Sequence, residues 1–397
     1  MEHTEYIIKK SPNKNWWLKV KNFIKEIWFY NINLSMSGKT KIGMVLFGVL
    51  GWMIWQPQIQ NIFKIFNSDI VNVFYMVPSV AKELLPQNLF SLLIILSSVK
   101  LIWGVFIGLA DFSFYKKITG QTFDYANMIN MVFVNSMILF LGVFSYSFFD
   151  LTVIISAYKR LLEGIPTLIQ FNGAIAFMIA MLIGDFCFYW AHRFVHHIRI
   201  FWNLGHIYHH RNENLTQLTH GVEPRFLLLN AEGVGTLFIL PFIAKVFAAD
   251  FSDAGLFIIP FSLINIWIDP SHSVFLYHLE NKYKALKILR LFFVTTGVHY
   301  THHSKDPKHN KRTGCNFGAR LTIWDRLFGT YVEPSNYLPE TGLYSRKTDY
   351  CINPIRFLFL PYIRFIDELK SNSIKYWPKI LFGSVFWSPP NKSKLSH

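Results

Sequence analysis

The sequence predicts an all-α protein, a multi-pass bundle of transmembrane helices beneath a helical cap. Three observations predict it. Hydrophobic residues make up 52% of the 397-residue chain and charged residues only 16%, a more apolar balance than soluble domains show. Several segments approach the roughly 20 apolar residues that a spanning helix needs. Strand signals are scarce, and the polar groups that recur do so at helical spacing.

Taken in order, residues 1–41 form a basic segment that begins "MEHTEYIIKKSPNKNWWLKVKNFIKEIWF". It has no compact apolar core followed by a small-residue cleavage site, so no cleaved signal peptide is expected. Ile24, Trp28 and Phe29 interleave with lysines, the pattern of a helix lying on a membrane surface; a disordered basic tail is the open alternative. Residues 42–180 make the transmembrane region, with candidate spans at 42–55, 89–110, 128–158 and 168–183. The third is long enough to bend near 148–150. Region 181–333 holds most of the histidines and two more apolar runs, 226–248 and 256–268, which read as a tight hairpin. The first of these carries Glu232, Pro241 and Lys245 and is expected to pack against protein. Residues 334–397 form a C-terminal cytosolic tail of mixed apolar and basic character.

The formal charge is +15. Lysines and arginines lie beside apolar segments rather than in one basic domain, which favours anionic lipid headgroups or an acidic protein partner over nucleic acid. Three cysteines, Cys187, Cys315 and Cys351, make no CxxC pair and fit a reducing compartment. The hairpin between His210 and His299 returns the chain to the side it left, so the histidine-rich stretches can meet on one face. Arg193, Arg199, Arg211, Lys282, Lys284, Lys287 and Arg290 share that face, while the hairpin tip carries Asp250 and Asp253. The positive-inside tendency makes the face cytosolic, although Lys159 and Arg160 run against it.

The histidines carry the chemistry. His192 and His196 form HxxxH; His206, His209 and His210 form HxxHH; His299, His302 and His303 form HxxHH again. A helix turns 100° per residue, so each set is expected to point its imidazoles one way. Neutral imidazole is the commonest metal ligand, and eight donors exceed the four that a zinc ion takes. Two ions sharing them is the economical reading. His272, in "IWIDPSHS", is a ninth candidate. His3, His197, His220, His278, His309 and His397 lack partners at ligand spacing and read as hydrogen-bonded or exposed. No thiolate pair and no recurring carboxylate is present, which argues against iron–sulfur, calcium and magnesium sites. No HExxH occurs, which removes the common metalloprotease pattern. Iron, zinc and copper stay open on ligand type alone. Asp185 and Asp269 are placed to accept imidazole N–H bonds, with capping or solvated roles equally open. Trp324, Asp325 and Arg326 read as a surface turn closed by an Asp–Arg contact, without a catalytic role.

Together "DFCFYWAHRFVHH", "FWNLGHIYHHRNENLT", "GVHYTHH" and "CNFGARLTIWDRLFGTY" resemble the fatty acid hydroxylase/sterol desaturase superfamily, from about Asp185 to Glu333. A fainter echo in "INPIRF" and "KILFGSVFWSPP" is similar to the tails of bacterial members and of alkylglycerol monooxygenases. The resemblance implies an integral-membrane di-iron oxygenase, in the bacterial inner membrane or the endoplasmic reticulum, with its site in a cytosolic helical cap. It matches His192, His196, His206, His209, His210, His299, His302 and His303 to the ligands of two iron ions, and His272 to the extra one. Two departures stand out. "QLTHGVEPRF" is not the usual run and lies where substrate would approach, and Cys315 replaces a charged residue before the Asn-Phe-Gly turn.

The activity implied is O2-dependent hydroxylation or desaturation of a membrane lipid, in lipid metabolism. No GxGxxG fingerprint and no haem motif occurs, so electrons are expected from a soluble redox partner, a ferredoxin or a cytochrome b-type protein. Alkylglycerol ether cleavage, with electrons from a pterin, is the alternative within the family. A non-catalytic metal-binding or transport membrane protein is the alternative outside it, and the few polar residues in 89–110 and 168–183 argue against transport.

Overall fold

The computed structural model describes residues 87–146, 160–161, 163–170, 173–221, 270–309, 314–343 and 354–391, with positions 223, 246 and 264. The basic segment 1–41, the runs 42–55 and 256–268 (save 264), Asp269 and Cys351 lie outside them, as does 226–248 except Val246. The described elements are helical, joined by isolated two-residue bridges such as Ile198–Ser384 and Phe293–Leu321. All-α is therefore the class of the described residues. Among them no helix is long and apolar enough to cross a membrane, so the multi-pass bundle has no support at this level.

Helix α1 spans Gln87–Thr119 and α2 spans Tyr125–Tyr146. Lys116 and Lys117 sit in the last turn of α1, where cations offset the exposed carbonyl ends. Gly120 then takes φ 74° and its N–H closes on the Lys116 carbonyl, the left-handed stop that a side chain disfavours. Helix α3, Gly173–His197, starts later than the expected 168–183 span and runs unbroken through both histidines of HxxxH. Leu168 and Ile169 instead precede it as non-helical backbone, their N–H groups on the Val246 carbonyl.

After α3 the chain breaks at extended Ile198 and winds through α4 (Arg199–Phe201), a wide π turn (Trp202–His206) and α5 (Ile207–His210). Beneath this stretch, Met131, Val134 and Ile138 of α2 pack with Ile207, Tyr208 and Leu358. Each such buried side chain contributes roughly 1.5–3 kcal/mol. Leu358 belongs to α10 (Pro354–Ser371), whose Tyr362 hydroxyl donates to the Leu204 carbonyl inside the π turn at 3.1 Å. Between them lie α6 (Val274–Lys282), α7 (Lys284–Ile288), α8 (Thr296–His302) and α9 (Ile323–Leu327); α11 (Trp377–Phe382) follows.

Buried Asp111 of α1 pins the cap to the first helix. It accepts from Ser273 Oγ at 2.6 Å, Phe275 N at 2.9 Å and Gln217 N at 3.0 Å. Burial pushes its carboxyl up to about 6, against the pull of those donors. The contact fixes the start of α6, two residues after His272.

Candidate metal centre

The nine candidate imidazoles stand in two groups. His192, His196, His206, His210 and His302 form the first, and His209, His272, His299 and His303 the second; within each, the ligand atoms lie within 4.8 Å of one another. This corrects the expectation that each HxxHH motif points one way. In both motifs the i and i+4 members share a group while the i+3 member joins the other. The reason is angular. On a helix i+4 lies 40° from i, but i+3 lies 100° from i+4. The two motifs thus exchange one ring each, His209 and His302.

Backbone acceptors fix several rings. His192 Nδ1 lies 2.8 Å from the Phe317 carbonyl, His302 Nδ1 2.7 Å from that of Cys315, and His209 Nδ1 3.2 Å from that of Gly221. A carbonyl only accepts, so each Nδ1 carries the proton and each Nε2 presents a lone pair. His206 Nδ1 is held in the same sense by the Glu223 carboxylate. Gly221 is required for its part. A Cβ there would stand 2.0 Å from the Tyr208 carbonyl oxygen.

The consequence is unusual packing of nitrogen on nitrogen. His192 Nε2 and His206 Nε2 stand 3.1 Å apart, both with lone pairs. His210 Nε2 is 3.0 Å from His206 Nε2; in the second group neighbouring Nε2 atoms stand from 2.9 Å (His272–His299) to 3.3 Å (His272–His303) apart. His196 Nε2 and His302 Nε2 are buried without a hydrogen-bond partner. Facing lone pairs repel, and a cation between them turns repulsion into bonding. Two nitrogens bonded at about 2.0–2.1 Å to one ion stand about 2.9–3.4 Å apart for right-angle to tetrahedral arrangements. The donor set therefore fits a metal ion in each group.

Electrostatics agree with the ligand state. Desolvation, reinforced by neighbouring imidazoles, holds His192, His196, His210, His272, His299 and His303 well below the usual histidine range. Burial lowers His209 and His302 to about 3. These rings stay neutral at pH 7, as metal ligation requires.

Several expectations are corrected. Asp185 takes no imidazole; it accepts from the Arg320 and Leu321 backbone N–H groups at 2.9 and 3.1 Å, and burial raises its carboxyl to about 6. Asp325 makes no surface contact with Arg326. It is fully buried and accepts from Phe317 N, Gly318 N and Thr330 Oγ1 at 2.7–2.8 Å. It thereby shapes the loop whose carbonyls hold His192 and His302. Arg326 instead lies 3.8 Å over the Tyr331 ring. Cys315 contributes its carbonyl rather than a charge.

Glu223 went unrecognised, because nothing in the spacing of "QLTHGVEPRF" ties a carboxylate to a histidine 17 residues earlier. His220 stacks flat on His272, 4.8 Å between centroids and 4° between planes. His197 turns to the Arg193 carbonyl, His309 to Ser304 Oγ, and His278 is exposed. His3 and His397 lie outside the described residues.

Comparison with known proteins covers this region. The family model for fatty acid hydroxylases matches residues 177–330, which contain all nine imidazoles. Alkylglycerol monooxygenase of Danio rerio is 31% identical over 247 residues, 60% of this chain and 48% of that protein. Alkylglycerol monooxygenase of Xenopus tropicalis is 30% identical over 150 residues, 37% of this chain and 28% of that protein. The chain thus spans half or less of the length of these relatives. No solved structure matches. Over residues 177–330 the chain is thus similar to the fatty acid hydroxylase family, and its two alkylglycerol monooxygenase relatives support the same superfamily.

Proposed function

We propose that this protein is a membrane-bound di-iron oxygenase that uses O2 to hydroxylate or desaturate a C–H bond of a lipid. The observation that carries the reading is the inward pair His192–His206, two imidazoles committed by their Nδ1 partners to present facing lone pairs. One iron would be held by His192, His196, His206, His210 and His302, the other by His209, His272, His299 and His303. Bound there, an iron pair supplies the redox chemistry by which O2 oxidises an unactivated C–H bond.

The chain's own part is positional. The 315–317 carbonyls, Gly221 and Glu223 aim four rings, and burial keeps the imidazoles neutral. Phe188, Trp202 and Phe317 pack on His192 and His196 with centroids 5.0–5.7 Å apart and exclude water. Electrons come from an external donor of the ferredoxin or cytochrome b type. The membrane assignment rests on the apolar runs and on the outward stripe of Ile175, Met178, Leu182 and Phe194 along α3; the cytosolic face rests on the charge asymmetry. The test is metal analysis of purified protein beside a lipid profile of cells with and without the gene. Two irons per chain and a changed lipid are expected; near-zero iron with full zinc occupancy would overturn the reading.

A second reading, ether cleavage, is favoured by the two relatives named for that activity. Hydroxylation beside an ether oxygen collapses to an aldehyde and an alcohol. Incubating membranes with an alkylglycerol and measuring fatty aldehyde separates the two. Metal movement across vesicles without oxygen consumption would favour a transporter instead.

A further inference from the structure

The C-terminal helices carry a surface that the site does not use. The inner face of α10 is spent on the core through Leu358, Pro361 and Phe365. Its outer face exposes Phe359, Ile363 and Ile366 at helical spacing, ending in exposed Lys370. Beyond it Ile374, Phe382 and Phe386 are 73%, 65% and 62% exposed. The Trp377 indole N–H bonds the Leu369 carbonyl at 2.9 Å, which sets these side chains directly after the α10 stripe.

The charge on this segment has one sign. From Leu369 to His397 there are five lysines and no aspartate or glutamate. The Lys375 and Lys379 ammonium groups lie 5.0 and 5.4 Å from the Tyr376 and Trp387 ring centres, so charge and aromatic surface stand side by side. The segment is also rigidly held. Arg199 binds the Ile380 and Trp387 carbonyls and pairs with Glu368, while Val385 N bonds the His197 carbonyl at 3.0 Å.

We propose that α10 and α11 form a docking surface for an anionic lipid bilayer, with the Phe and Ile side chains among the acyl chains and the lysines at the headgroups. Exposed aromatic and aliphatic side chains followed by lysines are the chemistry of an interfacial helix on anionic lipid; the two carboxylates of α10, Asp367 and Glu368, are half-buried, and Glu368 is spent on Arg199. An acidic protein would satisfy the lysines but leave the apolar row unmatched. The same helix buttresses the π turn that ends at His206, so seating α10 on lipid fixes the height of the imidazole groups above the bilayer. The inference rests on the lipid-substrate reading only for its setting, and its test reads no turnover.

The experiment uses the full chain in nanodiscs containing spin-labelled lipid. A fluorophore is placed by Ile374→Cys or Phe382→Cys, with Glu340→Cys, an exposed position outside the segment, as the control. Metal content checks that each variant is folded. Quenching of the two labels about twofold or more above the control in phosphatidylglycerol discs is expected, diminishing in phosphatidylcholine and in Lys370→Gln/Lys375→Gln/Lys379→Gln. Quenching no greater than the control in either lipid overturns the proposal, as does shielding of the labels only by a second copy of the chain or by an added acidic protein. Either outcome leaves the iron analysis above untouched, so the two readings fail separately.

Discussion

The two imidazole groups are built to different standards. The first has five rings, all buried, and three of them (His192, His206 and His302) have their Nδ1 atoms committed to a carbonyl or a carboxylate. The second has four rings, of which His209 and His299 are partly exposed, and among the described residues only His209 has a backbone acceptor. Its members are oriented largely by one another and by the stack of His220 on His272. A closed, pre-oriented site beside a more open one is the arrangement in which one ion is anchored and the other keeps room for small molecules.

Removing a ring from the second group tests that division most severely. His303 Nε2 lies within 3.0–3.3 Å of His209, His299 and His272. His303→Ala should cut turnover by more than about a hundredfold and lower iron from two per chain towards one. Loss of both irons would show that the groups are one cooperative unit.

The next effect falls on the first group alone. Glu223→Gln removes the carboxylate from His206 and should weaken iron there by about 10–100-fold, measured by chelator competition, with Glu223→Asp restoring part of it. Equal weakening at both irons would erase the proposed asymmetry. A purely structural effect, on stability rather than on activity, is expected at Asp325. Asp325→Ala leaves the Phe317 and Gly318 amides unpaired and should cost about 2–4 kcal/mol in denaturant unfolding. Iron in the second group should be retained at denaturant concentrations where the chain is still folded.

Acid should treat the groups alike. Imidazoles held below their unfolded value of 6.5 bind fewer protons folded than unfolded, so stability falls as pH drops from about 6.5 and levels only below about 3, where His209 and His302 titrate. Asp111 and Asp185, raised from 3.8 to about 6, act in the opposite sense between those values. Eight imidazoles outweigh these carboxyls and Asp325, which burial also raises, and the melting temperature of the metal-free protein should decline on acidification. In the loaded protein, iron release should track unfolding; release well above the unfolding pH would mean that the rings titrate in place.

Much of the centre was legible because ligand spacing is a local property. HxxxH and HxxHH are written within one or two helical turns, and the eight rings chosen on that basis converge, joined by His272, which no such spacing selects. The all-helical class of the described residues was legible too, from the scarcity of strand signals, whereas the multi-pass bundle expected from the apolar runs has no support among them. What was not legible depends on distant partners. The acceptor for His192 is 125 residues away, and those for His206, His209 and His302 lie 12–17 residues off on irregular backbone. Asp185 looked like a ring acceptor because it shares a face of α3 with His192. The 320–321 amides reach it first, an alternative that helical spacing cannot reveal.

By itself the sequence determined which side chains could act as ligands and which pairs, four apart, would travel together, because a helix imposes that angle on any chain. Only the tertiary structure decided the division into five and four, the exchange of His209 and His302, and the roles of Glu223 and Asp325. Those follow from where loops far apart in the chain present single carbonyls and carboxylates, and no periodicity encodes that.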